Sequence, residues 1–272
     1  MSQDFQCRVC GNAAKFEKVN ILQNGYELFK CSCCSTVMTL QIPGPLELQK
    51  QYDELFEKDQ QYQIHRTGYS KLLSGKIPLE YHRQNMLRRV MRISPVRRMV
   101  EIGGGLGTFG FFAVKNGWDY LDIDISLTAI EKVSALGLKA EIIDLGKLSE
   151  MRNVVVAMWE VIEHIWNVSE YLAAIRMAIE PDGLLLLSTP NFLRKSYRSS
   201  KNWGAASVPP IHVNFFTEDS LRKSLEAAGF SSITIFKPRL NRPSASLKSV
   251  LYSVELALGI EPTKNLYVIA KR

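Results

Sequence analysis

Four of the five cysteines have the spacing of a metal site. Cys7 and Cys10 form one C-x-x-C pair, and Cys31 and Cys34 form a second pair after 20 intervening residues. Two such pairs supply four thiolates at the spacing typical of Zn²⁺ ligands. Four thiolates leave no coordination position open, so the pattern predicts a structural zinc ion rather than a catalytic one. Cys33 is left over in this assignment.

The position of the cysteines also bears on the cellular environment. All five lie in the first 34 residues, whereas a disulfide framework would be distributed over the whole fold. Unliganded core cysteines are the alternative to a metal. The start, MSQDFQCRVC, lacks an apolar leader segment, and no stretch approaches the roughly 20 apolar residues of a membrane-spanning helix. We therefore expect a cytoplasmic protein with no membrane span.

A glycine-rich turn follows the first apolar run of the central region. Glu101 precedes glycines at alternate positions, Gly103, Gly105 and Gly107, and glycine permits positive φ and close approach of a ligand. A literal G-x-G-x-x-G of the dinucleotide-binding type ends at Gly110. That alternative requires the preceding strand to continue through two glycines, which strands resist. A glycine turn without a ligand is a further alternative.

A second acidic position lies about 20 residues beyond the glycine turn. Asp124 follows the apolar run 120–123, and an ionised carboxylate there can accept hydrogen bonds from both hydroxyls of a ribose. Asp122 is one pleat period earlier and is expected to face the same way, deeper in the strand. Dinucleotide sites share this acidic position, and a helix cap would also explain Asp124.

Four further segments, 159–165, 180–191, 211–217 and 226–230, discriminate between these possibilities. With the glycine turn they resemble, in order, the motifs of class I S-adenosylmethionine-dependent methyltransferases. The resemblance is to the branch that includes the ubiquinone-biosynthesis O-methyltransferases, and it spans about residues 80 to 270. Pro181-Asp182-Gly183 stands where that branch usually has Pro-Gly-Gly, which is a small departure.

The resemblance implies S-adenosyl-L-methionine as the cofactor and assigns contacts with it. The implied residues are Glu101 at its amino-acid end, Gly103 and Gly105 along its path, Asp124 at the ribose, Asp144 near the adenine amino group, and Ile125 and Trp159 beside them. A local structural role explains Asp144 equally well, because it is a single acidic residue in a loop.

Two histidines lie within the motifs, and an imidazole that titrates near neutrality can take a proton from a hydroxyl during methyl transfer. We predict His212 and His164 as catalytic residues, with His212 as the general base; a purely structural hydrogen bond is the alternative. The segment 202–210, with Trp203, is expected to cover the acceptor pocket.

Glu160, Glu163 and His164 also match a constellation associated with a divalent metal in the ubiquinone O-methyltransferases. The alternative is that this segment only packs beneath the cofactor.

The favoured function is methylation of a small molecule or a glycan precursor, at oxygen. An RNA methyltransferase that uses the zinc module and the basic loop 194–201 is the second candidate, although no Asn-Pro-Pro-Tyr-like motif follows the fourth strand. A catalytically silent scaffold is the third candidate, against which the intact cofactor residues argue. No pattern in the sequence specifies an oligomeric state.

The formal net charge of +7 invites a nucleic-acid partner, because phosphate neutralisation dominates nonspecific affinity. The basic residues between Arg88 and Arg98, however, have helical spacing with an apolar stripe at Met86, Val90 and Ile93. A solvated helix face explains this cluster, so we do not expect a nucleic-acid partner.

The elements that must position these residues alternate from residue 98 onward. The predicted strands are Met99–Ile102, Tyr120–Ile123, Ala140–Ile143, Val154–Met158, Leu184–Ser188, Ile233–Phe236 and Leu266–Ala270. The predicted helices are Gly107–Asn116, Leu127–Leu136, Glu170–Ile179 and Glu218–Ala228. Alternation of this kind predicts an α/β fold, a doubly wound and mostly parallel seven-stranded sheet with ligands at the carboxyl ends of its strands. By the resemblance, the last strand is antiparallel.

Three consecutive units are expected. Residues 1–42 form a zinc-ribbon-like module that ends at the breaker cluster Ile42-Pro43-Gly44-Pro45. Residues 43–95 form a helical linker or lid, and residues 96–272 form the cofactor-binding domain.

Overall fold

The computed structural model describes residues 5–22, 24–41, 81–194, 207–237 and 264–272, together with residues 44, 70, 74 and 197. Predictions about Trp203, the basic residues 195–206 and most of the segment 43–80 lie outside the described residues.

The central sheet has seven strands, and its order confirms the predicted doubly wound α/β fold. In spatial order the strands are β12 (Ser232–Phe236), β13 (Asn265–Lys271), β10 (Leu184–Pro190), β9 (Val155–Trp159), β6 (Arg98–Ile102), β7 (Asp119–Asp124) and β8 (Lys139–Ile142). Only β13 runs antiparallel to its neighbours, β10 and β12. The two central strands β9 and β10 are buried along their whole length, because helices cover both faces of a parallel sheet.

Six helices accompany the strands in the described part of the chain. They are α1 (Tyr81–Ile93), α2 (Thr108–Lys115), α3 (Leu127–Ala135), α4 (Leu145–Glu150), α5 (Val168–Ala178) and α6 (Glu218–Ala227). The four predicted helices are confirmed within about two residues. In α1 the arginines 88, 89 and 92 are exposed while Met86 and Val90 are buried, so this part of the helix has the predicted solvated face. Ile93 ends the helix and is exposed instead of buried.

Local capping explains where several helices begin. The Ser126 hydroxyl accepts the amide N–H of Ala129 at the start of α3, and Thr217 forms a capping box with Ser220 at the start of α6. None of the helices in the described part of the chain combines the length and apolarity needed to cross a membrane.

The amino-terminal residues form two small sheets. One contains β1 (Phe5–Gln6) and β2 (Ala13–Ala14). The other has the order β11 (Asn214–Phe215), β5 (Val37–Thr39), β4 (Glu27–Cys31) and β3 (Phe16–Ile21). Its strand β11 comes from the carboxyl-terminal half of the chain and pairs with Val37 and Met38.

The first expected unit is therefore joined to the third through a shared sheet. The four buried cysteines also belong to the same hydrophobic core as Val168 and Leu172 of α5. A module of about 40 residues has little core of its own, so packing against the larger domain supplies the missing burial.

Candidate functional site

The four predicted zinc ligands lie together. The sulfur atoms of Cys7, Cys10, Cys31 and Cys34 are all within 4.8 Å of one another, and all four residues are buried. Each is a free thiol, and the Cys7 and Cys34 sulfurs are 4.0 Å apart, far beyond the roughly 2.05 Å of a disulfide. Tetrahedral coordination at a Zn–S distance of about 2.3 Å puts sulfurs about 3.8 Å apart. The donor set therefore fits zinc.

The two cysteine knuckles have the same backbone geometry. The Gly11 amide donates to the Cys7 carbonyl, and the Ser35 amide donates to the Cys31 carbonyl in the equivalent way. Gly11 has φ +74° and Ser35 has φ +61°, so the serine adopts the left-handed conformation that glycine adopts in the first knuckle.

The protonation of the thiols depends on their shared environment. Burial raises the pKa of Cys31, whereas hydrogen bonds from the Cys10 and Cys7 thiols lower the pKa of Cys34. Cys33 is exposed, and its thiol donates to the Ala13 carbonyl at 3.3 Å, outside the cluster.

The glycine turn begins where β6 ends, at Ile102, and this ending excludes a strand that runs through Gly103 and Gly104. Gly103 has φ +71°, and an added Cβ there would lie 2.8 Å from a methyl group of Val161. Gly105 has φ +60°, and its added Cβ would meet nothing within 4 Å. The turn therefore leaves open space beside Gly105, where a ligand can approach the backbone.

A cavity of about 500 Å³ lies beside this turn at the carboxyl edge of the sheet. That volume falls in the usual range for small-molecule sites, about 300–1,000 Å³. The lining includes six residues singled out from the sequence, Gly103, Gly105, Asp124, Ile125, Glu160 and His164, together with residues to which the sequence analysis gave no role in the site, among them Val161, Trp166, Asn167, Glu170 and Tyr171. Trp166 and Tyr171 could have been suspected, because they closely follow the motif at 159–165.

Three acidic side chains, those of Asp124, Asp122 and Glu101, lie near the glycine turn, and each has a different environment. Asp124 lines the cavity and accepts the Ser126 amide at 2.9 Å, and its pKa is raised by burial. The buried Asp122 accepts the Gly104 amide at 2.9 Å through Oδ1. Its Oδ2 has no hydrogen-bond partner within the described residues. Burial and the nearby Asp124 raise the pKa of Asp122 to about 7.

Glu101 is held within the protein by a residue that the sequence did not single out. The Tyr120 hydroxyl donates to the Glu101 carboxylate at 2.5 Å, and both side chains are buried. Glu101 is not among the described residues that line the cavity, so its contact with a cofactor stays a prediction.

The structure gives two other predicted cofactor residues local roles. Asp144 accepts the Lys147 amide at 3.1 Å and caps α4, which was not predicted as a helix, while its neighbour Ile143 lines the cavity. Trp159 is buried against Phe109, with ring centroids 4.9 Å apart. Neither Asp144 nor Trp159 is among the described lining residues, and their contacts with a cofactor also stay predictions.

The two predicted catalytic histidines lie beside each other. The ring centroids of His164 and His212 are 4.6 Å apart, and candidate ligand atoms of both lie within 4.8 Å of a carboxylate oxygen of Glu163. His164 lines the cavity, whereas His212 is not among the described lining residues. Nδ1 of His164 donates to the Ile211 carbonyl at 2.9 Å, and its Nε2 lies 3.9 Å from Oε1 of Glu163.

The carboxylates of this segment are bonded differently. Oε2 of Glu163 accepts the Thr189 hydroxyl at 3.0 Å, while its buried Oε1 has no hydrogen-bond partner within the described residues. Glu160 instead accepts the Ser188 hydroxyl at 2.5 Å. The predicted trio of Glu160, Glu163 and His164 is therefore replaced, as a cluster of candidate ligand atoms, by Glu163, His164 and His212.

Burial shifts the pKa values of all three residues of this cluster. It lowers the pKa of His164 to about 4 and, with repulsion from His164 and Arg194, holds the pKa of His212 well below its usual value. Burial and the charge of Glu160 raise the pKa of Glu163. His212 thus lacks the near-neutral pKa expected of it as a general base. Two imidazoles beside a carboxyl group that gives up its proton on metal binding are a donor set for a divalent cation.

Comparison with known proteins adds a family match. A family model described as "Methyltransferase domain" matches residues 79–235. The ubiquinone biosynthesis O-methyltransferase of Rickettsia conorii is 27% identical over 147 residues, which cover 50% of this chain and 48% of the relative. The ubiquinone biosynthesis O-methyltransferase of Rickettsia canadensis is 27% identical over 155 residues, which cover 53% of this chain and 64% of the relative. The chain thus matches about half the length of the first of these relatives.

Solved structures share the fold. An S-adenosylmethionine-dependent methyltransferase from Mesorhizobium loti has a TM-score of 0.52 at 18% identity, covering 72% of this chain and all of that one. Phosphoethanolamine N-methyltransferase 2 of Haemonchus contortus, in complex with S-adenosyl-L-methionine, has a TM-score of 0.54 at 14% identity. The match covers 95% of this chain and 69% of that one. At these identities the likeness concerns the fold alone.

Proposed function

The chain belongs to the methyltransferase-domain family, and we propose that it transfers a methyl group from S-adenosylmethionine to an oxygen of a small molecule or glycan precursor. The observation that carries this proposal is the cavity beside the glycine turn, with Asp124 on its wall at the carboxyl edge of the sheet. Ligands bind at this edge in doubly wound folds.

The residues of the cavity fit the methyl donor. When bound, S-adenosylmethionine supplies an electrophilic methyl group on a sulfonium. Asp124 would accept hydrogen bonds from the ribose hydroxyls, and the open side of Gly105 would admit the ligand close to the backbone. Ile125 offers an apolar surface on the same wall. Methyl transfer is an in-line displacement, so the main task of these residues is orientation.

On the acceptor side we infer that Glu163, His164 and His212 hold a divalent cation. The supporting observation is the buried Oε1 of Glu163, which lacks a hydrogen-bond partner among the described residues and lies near two imidazoles. A buried carboxylate oxygen without a partner is costly, and a cation would compensate it. Such a cation would lower the pKa of a bound hydroxyl. General-base catalysis by His212 is the competing assignment.

The cysteine cluster is proposed to hold one structural zinc ion per chain. Four buried free thiols at near-tetrahedral spacing support this assignment, and thiolate ligands persist in reducing compartments such as the cytoplasm.

RNA is a less suitable acceptor. Within the basic loop, the described Arg194 lies with its guanidinium carbon 4.0 Å from the centre of the Tyr197 ring. It also donates to the Ser207 hydroxyl at 3.5 Å. These contacts direct the guanidinium toward the protein rather than toward a phosphate backbone.

The experiment is incubation of the protein with methyl-labelled S-adenosylmethionine and, in separate reactions, a cell metabolite extract or total RNA, followed by mass spectrometry. The proposal predicts label in a small product and release of the demethylated cofactor. Label confined to RNA would support the second candidate function. Tight donor binding with no labelled product from any extract would support a catalytically silent scaffold.

A further inference from the structure

Arg8 lies in the first cysteine knuckle, between Cys7 and Cys10, and contacts the carboxyl-terminal half of the chain. Its Nη2 donates to the Val213 carbonyl at 2.8 Å and to Oδ1 of Asn214 at 2.9 Å. Its Nη1 donates to the Thr39 carbonyl at 2.5 Å. The two terminal nitrogens of the planar guanidinium are thus both held by acceptors, and this fixes the plane of the group.

The flat face of the same guanidinium rests on the indole of Trp166. The distance from the guanidinium carbon of Arg8 to the centre of the ring is 3.7 Å, which is within the range of a cation–π contact. Trp166 lines the cavity that we assign to the methyl donor. The backbone of the knuckle contributes as well, because the Ser169 amide, in the first turn of α5, donates to the Arg8 carbonyl at 3.0 Å.

The other residues bonded to Arg8 adjoin the histidine cluster. Val213 directly follows His212, and its amide donates to the Glu163 carbonyl at 2.9 Å. The side-chain amide of Asn214 donates to the Ile165 carbonyl at 2.7 Å. Arg8 thus ties the chain after His212 to the segment that carries Glu163 and Trp166.

We propose that Arg8 is a positioning residue, through which metal binding by the cysteine knuckle orders the Trp166 wall of the donor cavity and the chain next to His212. The proposal rests on the proposed function, because its main readout is affinity for the methyl donor. The cysteines fix the backbone on both sides of Arg8, so loss of the metal releases the guanidinium from its place.

This coupling differs from a general contribution to stability. A merely stabilising residue changes the fraction of folded protein but leaves the donor dissociation constant of the folded fraction unchanged. Substitution of a positioning residue changes that dissociation constant even at temperatures well below the unfolding midpoint. It also couples metal and donor binding reciprocally, since each ligand favours the same arrangement of Arg8.

The first experiment measures donor affinity by calorimetry in Arg8→Ala and Arg8→Lys, at a temperature at which circular dichroism shows both to be folded. We expect about tenfold weaker binding in Arg8→Ala, which is within the usual range of site coupling. Arg8→Lys should give an intermediate loss, because lysine keeps the charge over Trp166 but not the planar fork.

Arg222→Ala is the matched control, since Arg222 also donates from Nη1 to a backbone carbonyl, that of Ile233, and is not among the described cavity residues. Its donor affinity should equal that of the wild type. If both Arg8 variants also bind the donor within twofold of the wild type, the proposal is overturned.

The second experiment removes the metal with a chelator from the wild type and from Trp166→Leu, at a temperature at which circular dichroism shows both to be folded. The wild type should lose about tenfold in donor affinity, whereas Trp166→Leu, already weakened, should lose less than threefold more. An equal loss in both proteins overturns the coupling through Arg8 and Trp166. A wild-type protein that never binds the donor contradicts the proposed function itself.

Discussion

The two clusters of candidate metal ligands differ in how completely the protein surrounds them. The cysteine cluster offers four candidate ligands, all buried, which together would fill a tetrahedral site. The cluster of Glu163, His164 and His212 has three ligands, and His164 borders the donor cavity. A closed set of ligands can stabilise the fold, whereas an open set leaves positions at which a substrate oxygen can bind.

The origin of the ligands differs in the same way. Each cysteine pair comes from one short knuckle, closed by its own backbone hydrogen bonds. The second cluster combines the turn after β9 with the chain before β11, and it is oriented by hydrogen bonds from Thr189 to Glu163 and from His164 to Ile211. Tertiary structure therefore has to form before the second cluster exists.

The largest expected effect is on the closed cluster. Cys10→Ser should lose the metal, about one zinc per chain by elemental analysis, and lower the melting midpoint by about 10 °C or more, because zinc binding is coupled to folding. Cys33→Ser is the control, since the Cys33 thiol is exposed and outside the cluster; it should change neither quantity. A native protein that contains no zinc would contradict the assignment of the four cysteines as a closed structural metal site.

The next effect concerns the open cluster. Glu163→Gln and His212→Ala should each lower methyl-transfer turnover by about 10²-fold or more, with donor affinity unchanged and the melting midpoint nearly so. Turnover of the wild type should rise with added Mg²⁺ or Mn²⁺, and this dependence should be lost in both variants.

The outcome of His212→Gln separates the competing assignments of that residue. Metal-independent turnover in the wild type, together with a large loss in both His212→Ala and His212→Gln, would restore His212 as the general base. Near-normal turnover in His212→Gln alone would show that the side chain is a structural hydrogen-bonding group.

The sequence predicted the central fold well because its signals are local. Parallel strands that are buried on both faces, such as Leu184–Pro190, are continuous apolar runs, and consecutive glycines are unfavourable inside a strand, so they mark its end. The four cysteines were predicted as one cluster for the same reason, since each knuckle is a self-contained turn.

The features that the sequence missed depend on contacts between distant residues. The pairing of Asn214 with Met38 joins the cysteine module to the larger domain, and no local pattern specifies it. His212 enters the cluster in place of Glu160 because the Ser188 hydroxyl engages Glu160 elsewhere. Asp144 carries a carboxylate and could therefore be a ligand by residue type. In the structure its side chain instead accepts a backbone amide at the start of the six-residue helix α4 and caps that helix.

A smaller effect is expected at Asp122, a buried acid that belongs to neither cluster. Its pKa of about 7 in the folded protein exceeds the value of about 3.9 in an unfolded chain. Between about pH 4 and 7 the folded state therefore binds a proton that the unfolded state lacks, and this contribution to stability is lost as the pH rises through 7.

Asp122→Asn removes that titration but keeps an oxygen that can accept the Gly104 amide. The melting midpoint of Asp122→Asn minus that of the wild type should increase by a few degrees between pH 5 and pH 8. A difference that does not change with pH would mean that Asp122 is not the group that binds this proton.

The most direct test of the assignment of the cavity is calorimetric titration of S-adenosylmethionine into the wild type, Asp124→Ala and the control Asp119→Ala. Asp119 begins the same strand β7 but is exposed at its opposite end. The wild type and Asp119→Ala should bind with micromolar affinity, and Asp124→Ala should bind at least about tenfold more weakly, because two charge-assisted hydrogen bonds to the ribose are lost. Equal affinity in all three proteins would contradict the placement of the methyl donor against Asp124.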